Sequence, residues 1–308
     1  MSTRITEHTL LALQASSLLG FMASLGAFFT LGRRPEYAAS RMRWVPQGSS
    51  YCPVFQTPGI QDADALLTCL HEHLSAAEGH RVITFEKDLK VSQAIFRNLS
   101  REMAESFLEQ KDSFGSEMAA AFGSDGAVNE EGMIEDTAFR TMSGAGHQHF
   151  LSFMNELAKE TNIDHLREAL YGPWRYRDPS PIMRWDDADD RRYALRWDEP
   201  SKDPVRTVRG ANRLAIAALP LFPTVPTAGG GLATVGFKGN KSNNTFVTWP
   251  IWTGWLSMDA VRSTLVLSEL QKSEPSTSEL SARGICAAFR SQRITLGKYR
   301  NFTPAKPI

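Results

Sequence analysis

The chain has 308 residues, 42% of them hydrophobic and 22% charged, which is too apolar for a disordered chain and long enough for one large or two ordinary domains. Three cysteines (Cys52, Cys69, Cys286), odd in number and without C-x-x-C spacing, argue against a disulfide framework or a structural zinc site and fit a reducing, cytoplasmic setting. The formal net charge is zero, yet residues 1–60 carry five Lys/Arg against two Asp/Glu, residues 61–170 nine against twenty, and residues 171–308 twenty against twelve.

The first region, 1–60, reads as a mixed α/β element. No charge occurs from Thr9 to Gly32, and Arg33-Arg34 follow directly. The length would suit a membrane span, but Gln14, Ser16, Ser17, Ser24 and three glycines interrupt it. The preferred reading is a strand over 9–15, a turn at Ser16-Ser17, and a helix whose Leu18, Met22, Leu25 and Phe29 form one apolar stripe. Two extended pieces follow, 41–45 and 51–56, separated by the turn chemistry of Pro46-Gln47-Gly48. No membrane partner is expected.

Region 61–170 reads as acidic and helical. Leu66, Leu70 and Leu74 share one helical face, and Ile95, Leu99, Met103 and Phe107 share another, with acids opposite. A Gly/Asp/Asn/Glu-rich break at 123–132 divides the region, and a further helix is expected from 143–146 to about residue 161.

Region 171–308 is basic and rich in Trp and Pro, with short strands and helices. Four prolines between Pro173 and Pro200 force turns or extended chain. A helix is expected over 210–219, a short strand over 232–237 with a partner over 245–252, a helix over 257–270 and a strand over 286–296. The fold class is therefore α+β.

Chemistry-bearing constellations are few. Asp186-Asp187-x-Asp189-Asp190 has the carboxylates a hard cation favours. However, adjacent carboxylates diverge in a helix or strand, and Arg184, Arg191, Arg192 and Arg196 stand ready to pair with them. His71 and His73 are two apart, as are His147 and His149, so neither pair has a metal-ligand spacing. There is no phosphate-binding P-loop, nucleophile elbow or dinucleotide fingerprint, and Gly229-Gly230-Gly231 lacks the G-K-[ST] ending. No cofactor or metal is expected, and the chain reads as non-catalytic. A metal-dependent nuclease using Asp186, Asp187, Asp189 and Asp190 is the alternative, with a protein-only scaffold as a third reading.

Nucleic-acid chemistry gathers in the last region. Between Arg283 and Ile308 there are six cations and no acid, interleaved with Phe289, Tyr299 and Phe302, a composition that neutralises phosphates and stacks on bases. Arg206, Arg209, Asn212 and Arg213 lead into a predicted helix whose first-turn amides suit a phosphate. Lys238, Asn240, Lys241, Asn243 and Asn244 occupy a Gly- and Asn-rich loop with side chains suited to phosphate or base edges. In the predicted strand over 286–296, Arg290, Gln292, Ile294 and Leu296 share one face and Arg293 and Thr295 the other. Lys298 and Arg300 follow.

Several blocks resemble a known family. They are residues 17–27 (SLLGFMASLGA), the block from Asp178-Pro179-Ser180-Pro181 to Arg196-Trp197, Arg209-Gly210-Ala211-Asn212-Arg213-Leu214-Ala215, and the stretch from Phe289-Arg290-Ser291-Gln292-Arg293-Ile294-Thr295 to Asn301-Phe302-Thr303-Pro304. Together they look like the small large-subunit proteins of type I-G (formerly I-U) CRISPR systems, some of which occur as extensions of the helicase-nuclease. The resemblance implies a subunit of the Cascade surveillance complex, partnered by crRNA, target DNA, other Cascade subunits and the helicase-nuclease. In such complexes guide RNA reads sequence and protein reads a short flanking motif and the backbone. It places the loop Lys238–Asn244 as the motif reader and implies no catalytic residue.

Overall fold

The computed structural model describes residues 4–142, 148–189, 206–239, 244–296 and 299–308. The fold is α+β, with helices and several small antiparallel sheets around a shared interior. Strand β1 (Ile5–Thr9) leads by a turn-rich stretch to α1 (Leu18–Gly32). Strands β2 (Arg41–Gln47) and β3 (Ser50–Pro58) follow, and the three strands pair in the order β1-β3-β2. The expected strand over 9–15 is therefore corrected to Ile5–Thr9.

The turn at Ser16-Ser17 ends in a helix cap, the Ser17 side chain accepting from the Gly20 amide. Beyond it, α1 is buried on every side from Leu18 to Leu31, not along one stripe. Its polar residues are compatible with this because they bond to their own helix. Ser24 Oγ donates to the Gly20 carbonyl and Thr30 Oγ1 to the Gly26 carbonyl, both at 2.7 Å. Among the described residues no helix is long and apolar enough to cross a membrane.

The acidic region supplies α2 (Ala63–Ser75), the single turn α3 (Arg81–Thr84), α4 (Gln93–Gln110) and α5 (Ser113–Phe122). A small hairpin, β4 (Gly123–Val128) and β5 (Ile134–Asp136), fills the predicted break and precedes α6 (Phe150–Glu160) and α7 (Ile163–Tyr171). Leu66, Leu70 and Leu74 face inward as their spacing demands. On α4 the buried set is Phe96, Leu99 and Met103, while Ile95 and Phe107 are exposed. The packed face is rotated by about one residue, because the larger apolar contact comes from Phe96.

In the last region α8 (Arg209–Ala217) is followed by β6 (Thr224–Pro226), β7 (Leu232–Thr234), β8 (Phe237–Lys238) and β9 (Thr245–Trp252). Then come α9 (Met258–Leu265), α10 (Thr277–Ala282), β10 (Ile285–Leu296), β11 (Tyr299–Phe302) and β12 (Lys306–Pro307). The expected strand over 232–237 splits in two. Leu232–Thr234 pairs with β6, and Phe237–Lys238 joins β9 in a larger sheet ordered β11-β10-β9-β8, with β12 on β10. The helix expected over 257–270 stops at Leu265, with a 3-10 turn over Ser268–Gln271 beyond it.

All nine residues of α8 are buried. Two glycines make this possible. A β-carbon at Gly26 of α1 would stand 1.8 Å from the Leu214 carbonyl oxygen, and one at Gly210 would stand 2.1 Å from that of His165 on α7. Helix α8 is thus in backbone contact with α1 on one side and α7 on the other, closer than any side chain permits. One buried cluster joins residues from all three sequence regions, including Phe21 of α1, Phe150 of α6 and Trp249 of β9. Phe21 stacks on both Trp44 and Trp249 at 5.8 and 5.7 Å between ring centres.

Candidate nucleic-acid interface

In the larger sheet, antiparallel pairing fixes which side chains share a face. One face holds Phe237, Val247, Trp249, Phe289, Arg293 and Phe302, all buried. The other carries a lateral row in which Lys238 of β8 lies opposite Phe246 of β9, and Phe246 opposite Gln292 of β10. Thr303 extends the row, its amide donating to the Gln292 carbonyl at 2.9 Å and its Oγ1 accepting from the Gln292 amide at 3.0 Å. Lys238 is exposed, and Phe246 and Gln292 are half-buried.

Further along this face Ala288 is covered by Leu270 and Leu280, so the open area lies at the end where β8 leaves and β9 begins. Antiparallel register brings Leu296 and Tyr299, where β10 passes into β11, to that same end. Gly239 adopts φ 91°, and a β-carbon there would meet the Asn244 carbonyl oxygen at 2.6 Å, so only glycine lets the chain leave β8 this tightly. Chemically the row offers a cation for phosphate, a ring for stacking and an amide for a base edge.

Several residues nominated from sequence are committed elsewhere. Arg209 is buried and its Nη1 donates to Glu160 at 2.6 Å, while its backbone N–H is taken by Asp178 at 2.9 Å. The first turn of α8 therefore already holds a carboxylate where a phosphate was expected. Asn212 is buried too. It accepts from the Met183 amide and donates to Thr207 Oγ1 and the Val208 carbonyl, which fixes the segment before α8. Arg213 lies inside the helical layer and donates to the Leu74 carbonyl at 2.6 Å.

Arg290 shares a face with Gln292 but is a clamp. It donates to Thr248 Oγ1 and to the carbonyls of Leu270, Lys272 and Ser273, holding the 3-10 turn and the chain after it. Arg293 points inward, 1% exposed, and donates to the Arg140 carbonyl at 2.8 Å. Burial, with Arg300 and Arg140 nearby, pushes its guanidinium down to about 10. Arg140 in turn binds Asp136 at 2.7 Å and Asp88 at 3.3 Å. Each is a correction to a nucleic-acid-facing assignment, because the guanidinium or amide is turned onto backbone, hydroxyl or carboxylate groups of the protein itself.

Arg206 is exposed and reaches the Arg177 carbonyl at 3.0 Å. Arg300 is half-buried and donates to the Met142 carbonyl at 3.3 Å. Among the described residues Lys238 donates to a hydroxyl, Ser273 Oγ, at 3.3 Å. Asn244 is exposed at the start of β9. Asn240, Lys241, Asn243 and Lys298 lie outside the described residues. The structure thus brings Lys238, Asn244 and Gln292 to one end of one sheet and separates them from Arg206, Arg209, Asn212 and Arg213. Phe246 was missed from sequence. Alternation within Thr245–Trp252 sets it opposite to Thr245 and Val247, but nothing in sequence identified β8 and β10 as its neighbours.

Within the acidic run Asp186 and Asp187 lie close enough to interact. Asp186 is buried, accepting from Tyr176 Oη and the Ala188 amide at 3.0 Å each. Burial pushes its carboxyl up to about 6. Asp187 faces solvent, and Asp190 lies outside the described residues. Among the described residues no group of three or more His, Cys, Asp or Glu is placed to hold a metal ion.

No protein-family model matches this chain, and comparisons with curated proteins and with solved structures return no significant match.

Proposed function

We propose that this chain is a non-catalytic subunit of a type I CRISPR RNA-guided surveillance complex acting in the cytoplasm. In it, the chain contributes to flanking-motif recognition in target double-stranded DNA, stabilises the R-loop and helps recruit the helicase-nuclease. The sequence blocks that resemble the large-subunit proteins supply the family. The observation that carries the reading is the Lys238–Phe246–Gln292 row, at the end of the sheet where the connection 239–244, rich in Asn and carrying Lys241, and the Gly297-Lys298 connection begin.

A cation, a ring and an amide in one line suit a strand whose phosphates and bases alternate along its length. The acidic helices fit the opposite task. Helix α4 leaves Phe107 and Leu108 exposed near Glu105 and Glu109, an apolar patch with a negative rim that complements a basic protein partner.

The test is target-duplex binding by the assembled complex, with and without this chain, across salt concentrations and with the flanking motif scrambled. The proposal expects motif-dependent, salt-sensitive binding only when the chain is present. It also expects Lys238→Ala and Phe246→Ala to weaken binding by about ten-fold or more, the loss of a phosphate contact and of one stacked base. Equal binding without the chain would remove it from DNA recognition.

A further inference from the structure

A second cationic concavity lies among the helices, away from the sheet. A cavity of about 230 Å³ opens where α1, α2 and α8 end. Its lining includes Arg33, Arg34, His73, His80, Phe114 and Arg213.

Arg213 is the decisive member. It is 3% exposed and lines this cavity, and among the described residues it has no acidic partner. The hydrogen bond to Leu74 uses one of the five N–H donors a guanidinium carries. A buried guanidinium cannot shed its charge near neutral pH, and leaving it without a counter-charge is costly. The carbonyl-rich ends of α1, α2 and α8 supply partial negative charge only.

The arginines at the rim deepen the positive character, while burial keeps the His73 imidazole below its usual range. Arg34 is exposed at the mouth and makes no side-chain hydrogen bond or ion pair among the described residues. His73 lines the wall with Nε2 lacking a hydrogen-bond partner. Of the acids nearby, Glu36 and Glu72 act on His73, and the two that flank the arginines and His80 are already engaged. Asp112 is held by His80 Nε2 at 2.9 Å and by the Phe114 amide at 3.1 Å. Glu117 is shared between Arg33 and Arg262. Arg33 also packs over the rings of Phe29 and Phe114, 5.6 and 5.4 Å from their centres, which fixes its head beside the cavity.

We propose that this cavity binds a phosphate group carried as a monoester, with Arg213 at its base and Arg33 and Arg34 at its mouth. A phosphomonoester dianion is compact, carries the charge Arg213 lacks, and offers acceptors on several sides to donors arranged around it. Two sources share this chemistry, the terminal phosphate of a nucleic-acid strand and a free mononucleotide.

The experiment measures binding to the purified full-length chain by calorimetry and thermal shift. The probes are orthophosphate, AMP, and a short oligoribonucleotide with either a 5′-phosphate or a 5′-hydroxyl, against sodium chloride at matched ionic strength. Wild type is expected to be stabilised by orthophosphate beyond the chloride control. Arg34→Ala, at an exposed position that folding does not use, should raise the apparent Kd about ten-fold, as loss of one charge-assisted contact does. Arg213→Met should abolish the phosphate response while the variant melts cooperatively. Tighter binding of the 5′-phosphorylated than of the 5′-hydroxyl strand assigns the site to a strand end, and tighter binding of AMP assigns it to a nucleotide. No phosphate-specific stabilisation, or a wild-type response in both variants, overturns the site. Both results are independent of whether Lys238 and Phe246 bind DNA.

Discussion

The Trp249 indole donates from Nε1 to the carbonyl of Ala15 at 2.8 Å, joining two residues 234 positions apart. Trp249 belongs to the sheet that carries the candidate interface, and Ala15 lies just before the cap of α1. Trp249→Phe should therefore destabilise the protein by about 2–3 kcal/mol, from an unfilled volume and a buried carbonyl left unpaired. Chemical denaturation of the purified variant measures this, and a change below about 0.5 kcal/mol would show that the bond is not maintained in solution.

The glycine at 26 should be intolerant of any side chain. Gly26→Ala forces α1 and α8 apart, because the added carbon meets backbone that has no rotamer by which to yield. A loss of about 3 kcal/mol or more, or no soluble folded protein, is the expected outcome. Gly229→Ala, where nothing lies within 4 Å, serves as the neutral control.

Arg290 separates structural from binding roles. Arg290→Ala frees three carbonyls of the segment 270–273 and should cost about 2–3 kcal/mol in urea denaturation, with nucleic-acid affinity of the folded protein unchanged. Weaker affinity at undiminished stability would return Arg290 to the interface.

Asp186 gives the protein a pH signature. Its carboxyl is pushed up from 3.8 to about 6, burial being the main cause. Between those values the folded state keeps a proton that the unfolded state has released, so stability falls as pH rises through that window. The contribution is up to ~3 kcal/mol. Asp186→Asn, whose Nδ2 can donate to Tyr176 Oη while Oδ1 still accepts from the Ala188 amide, should flatten stability between about pH 4 and pH 6 and raise it at neutral pH. An unchanged pH slope in the variant would show that Asp186 ionises freely.

The elements that alternation and capping residues specify were legible in the sequence. Strand β9, the strand over 285–296, α8 and the turn at Ser16-Ser17 before α1 follow from local pattern. Which arginines face solvent was not. Arg is ordinarily an exposed residue, so a cluster of arginines reads as a binding surface. Here the partners that draw them inward come from far along the chain, Leu74 for Arg213 and Arg140 for Arg293, and no local pattern announces them. The same distance hid the Lys238–Phe246–Gln292 row, which exists only once β8, β9 and β10 are in register. The extent of α1 burial was hidden by Ser24 and Thr30, whose hydroxyls turn back onto the helix's own carbonyls.

Helix α1 is sheathed in part by elements made much later, α8 and β9. Leu214, whose carbonyl covers Gly26, leaves the ribosome about 190 residues after it, and at roughly 5–20 residues per second the wait is on the order of 10–40 s. Throughout that interval the nascent chain presents an uncharged segment followed by two arginines, with nearer partners such as Trp44 and Phe55 made early but the α8 side of its sheath not yet synthesised. A holding chaperone, or an emerging partner subunit, has that long to occupy it, so the yield of folded protein depends on the order in which the chain is born as well as on its final stability.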